Sequence, residues 1–247
     1  MTELVHYESC NRIATITLDR GDGRNAMNAP MLDELAAAWA RFEASEDRVA
    51  ILAASGNNFC FGADVRDLPA KGIAHAVPGN GAEVSKPIIS CVQGWVVGAG
   101  LVLALMSDLC IAAEGTQFLF PEAKLGVFGG GMIAGLVGHI PYKVAMEIML
   151  TSEPLSVQRA HEVGFVNQVV PQGEQLKAAM RYAERIAQAA PLVISAMRDM
   201  AWEARVKSGT ERYAPQQRRL AAIMNSADLR EGLLAQKEKR MPHFTGR

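Results

Sequence analysis

Two stretches of the chain carry residue types and a spacing that could act on a polarised carbonyl. Gly98-Ala99-Gly100 opens an apolar segment expected to be a short helix, and Glu122 follows Pro121 between Phe118-Leu119-Phe120 and Leu125. The first N–H groups of a helix lack intrahelical acceptors and lie at its positive end, so they can receive an oxygen that gains negative charge. Small residues at that turn equally suit close packing of helix on strand, and spacing alone leaves both readings open. A carboxylate among apolar residues is costly unless it is paired or desolvated for a purpose, and desolvation raises its proton affinity toward that of a useful base. Pairing with Lys124, or with an arginine of another subunit, is the alternative use of Glu122. From Lys86 to Gly131 the acidic residues are Asp108, Glu114 and Glu122 alone. A glycine turn with one isolated carboxylate nearby has the parts to stabilise an enolate and move a proton.

Other chemistries find no support. Gly21-Asp22-Gly23-Arg24-Asn25-Ala26 fits a dinucleotide-binding pattern, but Pro30 delays the helix that such a motif must enter directly. No phosphate-cradling Gly-x-x-x-x-Gly-Lys-Ser/Thr sequence occurs, and no serine stands at a Gly-x-Ser-x-Gly elbow. His6, His75, His139, His161 and His243 show no metal-ligand spacing, so no metal and no resident cofactor is expected.

The elements that must hold these residues are legible in outline. Residues 4–8 and 12–18 are expected to be paired strands, followed by a polar loop over 19–28. Pro30 starts a helix from Met31 to about Ala44 with Leu32, Leu35, Trp39 and Phe42 on one face. Strands are expected at 49–53, 87–92, 108–113 and 166–170, with a further one at 57–63. Residues 94–100 are expected to be a turn and 101–106 a helix, while residues 67–85 are expected to form a loop. From residue 143 onward the periodicity is helical over 143–150, 157–163, 174–189, 192–207, 210–225 and 227–239. Strands with interleaved helices first and a helical tail last argue for α/β organisation.

The bulk properties narrow the setting. A chain of 247 residues with a net charge of −1 has no long-range field for nucleic acid, and none is expected as a partner. The longest apolar run, residues 95–106, is too short to span a bilayer, so no membrane segment is expected. The N-terminal residues lack the basic and apolar regions of a signal peptide. Cys10, Cys60, Cys91 and Cys110 form no Cys-x-x-Cys pair, and a reduced, cytoplasmic setting is expected.

With these residues in view the chain resembles the enoyl-CoA hydratase/isomerase (crotonase) superfamily. The resemblance rests on Asn58-Phe59-Cys60-Phe61-Gly62-Ala63-Asp64-Val65-Arg66, Lys86-Pro87-Ile88-Ile89, residues 94–100 and Phe120-Pro121-Glu122-Ala123-Lys124-Leu125-Gly126. Arg20 with Arg24-Asn25-Ala26-Met27, and Arg230-Glu231-Gly232 with Glu238-Lys239-Arg240, match in the same order. It implies a crotonase-like α/β spiral of ββα units over residues 1–190. A helical trimerisation region would follow over 191–247, in a homotrimer or dimer of trimers. It also implies an acyl-CoA thioester substrate, with coenzyme A as part of that substrate. The backbone N–H groups of Ala63 and Ala99 would form the oxyanion hole and Glu122 would be the acid/base. Arg24, Ala26, Asp64, Arg66 and Lys239 would bind coenzyme A, the last from a neighbouring subunit. Val102 and Phe128 would line the acyl pocket.

The departures bear on the reaction. Hydratases of the superfamily pair two glutamates about a water, and the position of the first is Val102 here. A lone glutamate suits shuttling one proton between carbons of an enolate, so double-bond isomerisation is slightly favoured. Hydration, or hydration coupled to carbon–carbon cleavage, in fatty-acid or aromatic acyl-CoA breakdown is the enzymatic alternative. A catalytically silent acyl-CoA-binding relative is the alternative of another class. The loop between Asp64 and Lys86 is short, and Phe128 leads directly into Gly129 without a proline.

Overall fold

The computed structural model describes residues 3–64, 66, 67, 72–127 and 132–247. In chain order the elements are β1 (Val5–Cys10), β2 (Ile13–Leu18), α1 (Ala29–Ala44), β3 (Val49–Ala54), β4 (Ile88–Val92), β5 (Trp95–Val97), α2 (Ala99–Leu105), β6 (Leu109–Ala113), β7 (Gln117–Leu119), α3 (Glu122–Leu125), α4 (Met132–His139), α5 (Tyr142–Thr151), β8 (Leu155–Ser156), α6 (Val157–Glu162), β9 (Gln168–Val170), α7 (Gln175–Gln188), α8 (Pro191–Val206), α9 (Gly209–Met224) and α10 (Ala227–Glu238).

The opening hairpin turns at Asn11 and Arg12, both at positive φ (53° and 63°), the geometry whose twist matches paired strands. From β2 onward the large sheet is parallel, in the order β1-β2-β3-β4-β6-β9. Its central strands are continuous apolar runs because both faces are covered. One face packs on Leu32, Leu35, Trp39 and Phe42 of α1 and on α2. The other packs on Ala178, Ala179 and Ala183 of α7, small residues that let that helix lie close to the strands.

A second sheet, β5-β7-β8, runs beside the first. The chain passes from the large sheet into the small one and then into a helix twice in succession, as β4-β5-α2 and β6-β7-α3. One turn earlier, β3 leads to Cys60, whose single parallel bridge to Val96 extends the small sheet by one residue. Residues 49–60, 88–105 and 109–125 are thus three stacked turns of one spiral.

The stretch expected as a strand at 57–63 is only two isolated bridges, Cys60 to Val96 and Met27 to Ala63. Gly62, at φ 89°, bends the chain there before a ladder can form. The stretch expected as a turn at 94–100 contains β5, and α2 begins at Ala99 rather than at residue 101. Strands β7 and β8, of three and two residues, were too short for periodicity to reveal. Residues 72–85 carry one helical turn, Ala74–Ala76, fixed to α1 by Trp39 Nε1 donating to Ala76 O at 3.1 Å.

Asn25 ties the first spiral turn to the front loop. It is fully buried at φ 51°, its amide nitrogen donates to Ser55 O, Asn58 O and Phe59 O, and its Oδ1 accepts from the N–H of Arg20. Each buried polar group left without a partner costs about 1–3 kcal/mol. Asn25→Ala is therefore expected to lower the unfolding free energy by roughly 2–4 kcal/mol, measured in urea, and a loss within ~0.5 kcal/mol would deny it this role.

Candidate active site

The spiral brings the residues that follow three successive small-sheet passes to one place. Val97 N–H donates to Cys60 O at 2.9 Å and Gly98 N–H donates to Leu119 O at 2.9 Å. Residues 62–63, 98–99 and 120–122 leave the sheet side by side as a result. A Cβ built on Gly62 would stand 3.0 Å from Val97 O and 3.4 Å from Ala99 N. A Cβ built on Gly98 would stand 2.9 Å from Glu122 Oε1. A Cβ would crowd the facing backbone at Gly62 and the Glu122 carboxylate at Gly98, and both positions have positive φ (89° and 49°), which favours glycine.

The Ala63 amide is aimed by its bridge. Met27 N–H donates to Gly62 O at 2.7 Å and Asp64 N–H donates to Met27 O at 2.8 Å, so Ala63 itself points away from Met27. Ala99 is the first residue of α2, where N–H groups have no intrahelical acceptor. Neither amide donates to an acceptor among the described residues.

Glu122 begins α3 and is 8% exposed. Its Oε2 is buried with no hydrogen-bond partner among the described residues. Burial pushes its carboxyl above the usual glutamate range, opposed by its own backbone N–H. The alternative pairing with Lys124 is not formed, since Lys124 Nζ reaches Glu153 Oε1 at 2.9 Å and Ser152 O at 3.1 Å. Val102 lies one turn into α2, its N–H donating to Gly98 O at 3.1 Å, and is buried. No carboxylate stands at that position. Phe128 lies outside the described residues.

The residues matched to coenzyme A contacts fall into two groups. Arg24 is exposed, with its guanidinium 5.9 Å from the Phe61 ring centroid, and Phe61 N–H donates to Arg24 O. Ala26 O accepts from Arg20 Nη1 at 2.6 Å. The buried Asp64 carboxylate accepts from Arg20 Nη1 at 2.8 Å and from Arg66 Nε and Nη2 at 3.0 Å. Those donors, Arg66 first, hold its carboxyl well below the usual range. Arg24, Ala26, Asp64 and Arg66 thus sit on one rim beside Ala63. Lys239 is exposed at the end of α10, and no hydrogen bond or ion pair joins it to that rim among the described residues.

No group of three or more His, Cys, Asp or Glu side chains that could hold a metal ion occurs among the described residues. A cavity of about 740 Å3 between residues 78–85 and helices α8 and α9, lined by Met106, Trp202 and Arg219 among others, does not include Ala63, Ala99 or Glu122. Among the groups that line it, Arg219 pairs with Glu203 and Asp199, and Lys207 pairs with Glu203. Sequence reasoning missed Asn25 and Cys60 as organisers of the turn. The left-handed backbone at Asn25 carried a signal, since Asn is among the few residues that adopt it readily.

The chain is matched over residues 8–247 by the model of the family described as enoyl-CoA hydratase/isomerase. It is 32% identical to an (E)-benzylidenesuccinyl-CoA hydratase of Thauera aromatica over 98% of this chain and 99% of that protein. It is 28% identical to a 2,3-dehydroadipyl-CoA hydratase of Escherichia coli over the full length of both. Among solved structures, an enoyl-CoA hydratase of Mycobacterium tuberculosis superposes over the whole of both chains with a TM-score of 0.93 at 36% identity. With the spiral, the paired amide turns and the buried glutamate already in place, the chain belongs to the enoyl-CoA hydratase/isomerase family.

Proposed function

We propose that the protein forms the enolate of an acyl-CoA thioester between the N–H groups of Ala63 and Ala99, and that Glu122 alone moves the proton. The observation that carries this reading is the buried Glu122 carboxyl, its Oε2 without a partner among the described residues, lying over Gly98 and one residue from the Ala99 amide. In double-bond isomerisation Glu122 removes a proton from C2 of a 3-enoyl-CoA. The C–H pair becomes the C1–C2 π bond and the carbonyl π pair moves onto oxygen, where the two amides accept the charge. Glu122 then returns the proton at C4, the double bond shifts from C3–C4 to C2–C3, and the carboxylate is regenerated. One carboxylate suffices, and the apolar Val102 offers no acceptor to hold a water.

Hydration is the second reading, favoured by relatives that are named hydratases or dehydratases. Glu122 would then take a proton from water as oxygen attacks C3 and deliver one to C2. A panel of 2- and 3-enoyl-CoA esters followed by liquid chromatography and mass spectrometry separates the two. Isomerisation changes retention at constant mass, whereas hydration adds the mass of water. The expected product is the isomer, and Val102→Glu is expected to raise hydration relative to isomerisation, with some loss of stability from a buried charge. Rapid hydration of crotonyl-CoA by the wild type would remove the preference for isomerisation.

In this reading Arg24, Ala26, Asp64 and Arg66 face the coenzyme A phosphates and adenosine, with Lys239 supplied by a neighbouring copy. Phe128 joins Val102 beside the acyl group. The assembly is a homotrimer or a dimer of trimers. Support comes from α9, which buries no residue within the chain, and from the exposed Met197, Tyr213, Met224, Leu233 and Leu234. Light scattering at micromolar concentration is expected to give a trimeric or hexameric mass, and a monomer would overturn both the assembly and the role of Lys239.

Glu122 also couples function to stability. A carboxyl with raised proton affinity in the folded state makes the fold less stable as pH rises above the ordinary glutamate value, because ionising it there is penalised by burial. Activity needs the ionised form, so the acid limb of kcat/KM is expected above the ordinary glutamate value of 4.5. Glu122→Gln is expected to lower kcat by ~10²-fold or more. The same change is expected to raise Tm at neutral pH, at ~2–4 °C per kcal/mol recovered. Near wild-type turnover, or a lower Tm, would contradict these roles.

A further inference from the structure

Cys60 is the residue that touches both amide-bearing turns. Its backbone N–H donates to Trp95 O at 3.2 Å, and its carbonyl accepts from Val97 N–H, fixing it to β5. Its Sγ accepts from Gly62 N–H at 3.3 Å, and its S–H donates to Asn25 O at 3.0 Å. From the other side α2 rests on it: a Cβ added to Gly100 would stand 2.7 Å from both the Cβ and the carbonyl oxygen of Cys60. The side chain is fully buried, and burial pushes the thiol up to about 12, so it is a neutral donor and acceptor and not a nucleophile.

A small buried apolar residue would fill this space equally well, but it would leave Gly62 N–H without its acceptor. That N–H belongs to the residue just before Ala63, in a turn at φ 89° that the Met27 bridge holds from one side, through Gly62 O and Asp64 N–H, and Cys60 Sγ from the other, through Gly62 N–H. Buried amides left unpaired are costly, and the turn would relax toward another acceptor, carrying the Ala63 N–H with it.

We infer that Cys60 is a positioning residue for the oxyanion hole, with Sγ holding the Gly62–Ala63 turn at its distance from Ala99. The inference rests on the enolate reading above. A misplacement of about 1 Å in such a donor costs up to ~10²-fold in rate.

The test uses acetyl-CoA labelled with 13C at the carbonyl, bound to the full-length protein and read by difference infrared spectroscopy. In the wild type the thioester carbonyl stretch is expected to move to lower frequency on binding. Cys60→Ala is expected to lose at least half of that shift. It should also lower kcat ~10–100-fold on the acyl-CoA that the wild type turns over, with KM altered by less than ~3-fold. Cys60→Ser, which keeps a donor and an acceptor on a shorter arm, is expected to recover at least half of the shift. Should Cys60→Ala not fold, Cys60→Val fills the thiol's space without a donor and is expected to show the same losses. An unchanged shift and kcat in either apolar variant, whatever happens to Tm, would overturn the role of Cys60 while leaving the hole intact. Absence of any shift in the wild type would instead overturn the enolate reading, and this inference with it.

Discussion

The site depends on a backbone register. Two ladder bonds, Val97 N–H to Cys60 O and Gly98 N–H to Leu119 O, lock three passes of the spiral side by side. The residues leaving each pass then enter one small volume, which receives an amide from residues 62–63, an amide from 98–99 and a carboxyl from 122. Parallel strands need long crossovers, and the crossovers here are the helices that build the core, so core and site share one set of connections. Shifting the register of either bridge by one residue would turn the amides away and send Glu122 elsewhere.

That convergence imposes its own sequence requirements. The backbone of each turn must be approached closely by the next, which is why Gly62, Gly98 and Gly100 cannot carry a Cβ without meeting Ala99, Glu122 or Cys60. A buried carboxyl with an unpartnered oxygen works against stability, and the surroundings offset it with groups that are well satisfied. Asn25 binds three carbonyls, and Asp64 is shared between Arg20 and Arg66. The groups that surround the site are therefore satisfied, while the Ala63 and Ala99 N–H groups and Oε2 of Glu122 have no partner among the described residues. This distribution suits preorganised stabilisation of developing charge better than a site that must rearrange.

Much of this was legible in the sequence, for identifiable reasons. Long elements announced themselves by periodicity: α1 through Pro30 and its apolar face, and the tail helices through their helical repeat. Glu122 stood out as a charge in an apolar run, and Gly98-Ala99-Gly100 as a turn into a helix. The short strands β5, β7 and β8 did not, because they are held by neighbouring turns of the spiral and not by their own propensities. The stretch 57–63 has strand-like residues, yet the bend at Gly62 overrides them. Cys60 carried no signal of its own beyond its place in the stretch 58–66, because its two polar partners, at residues 25 and 62, meet only in the folded chain.

The central claim is that the two amides and Glu122 together make the proton at C2 of a thioester removable. Deuterium exchange at C2 of a saturated acyl-CoA such as butyryl-CoA, in D2O and followed by mass spectrometry, tests it without reference to which product the enzyme forms. The wild type is predicted to incorporate deuterium at C2 and Glu122→Gln to lose that exchange. No incorporation by the wild type, or incorporation that persists in Glu122→Gln, would contradict the account.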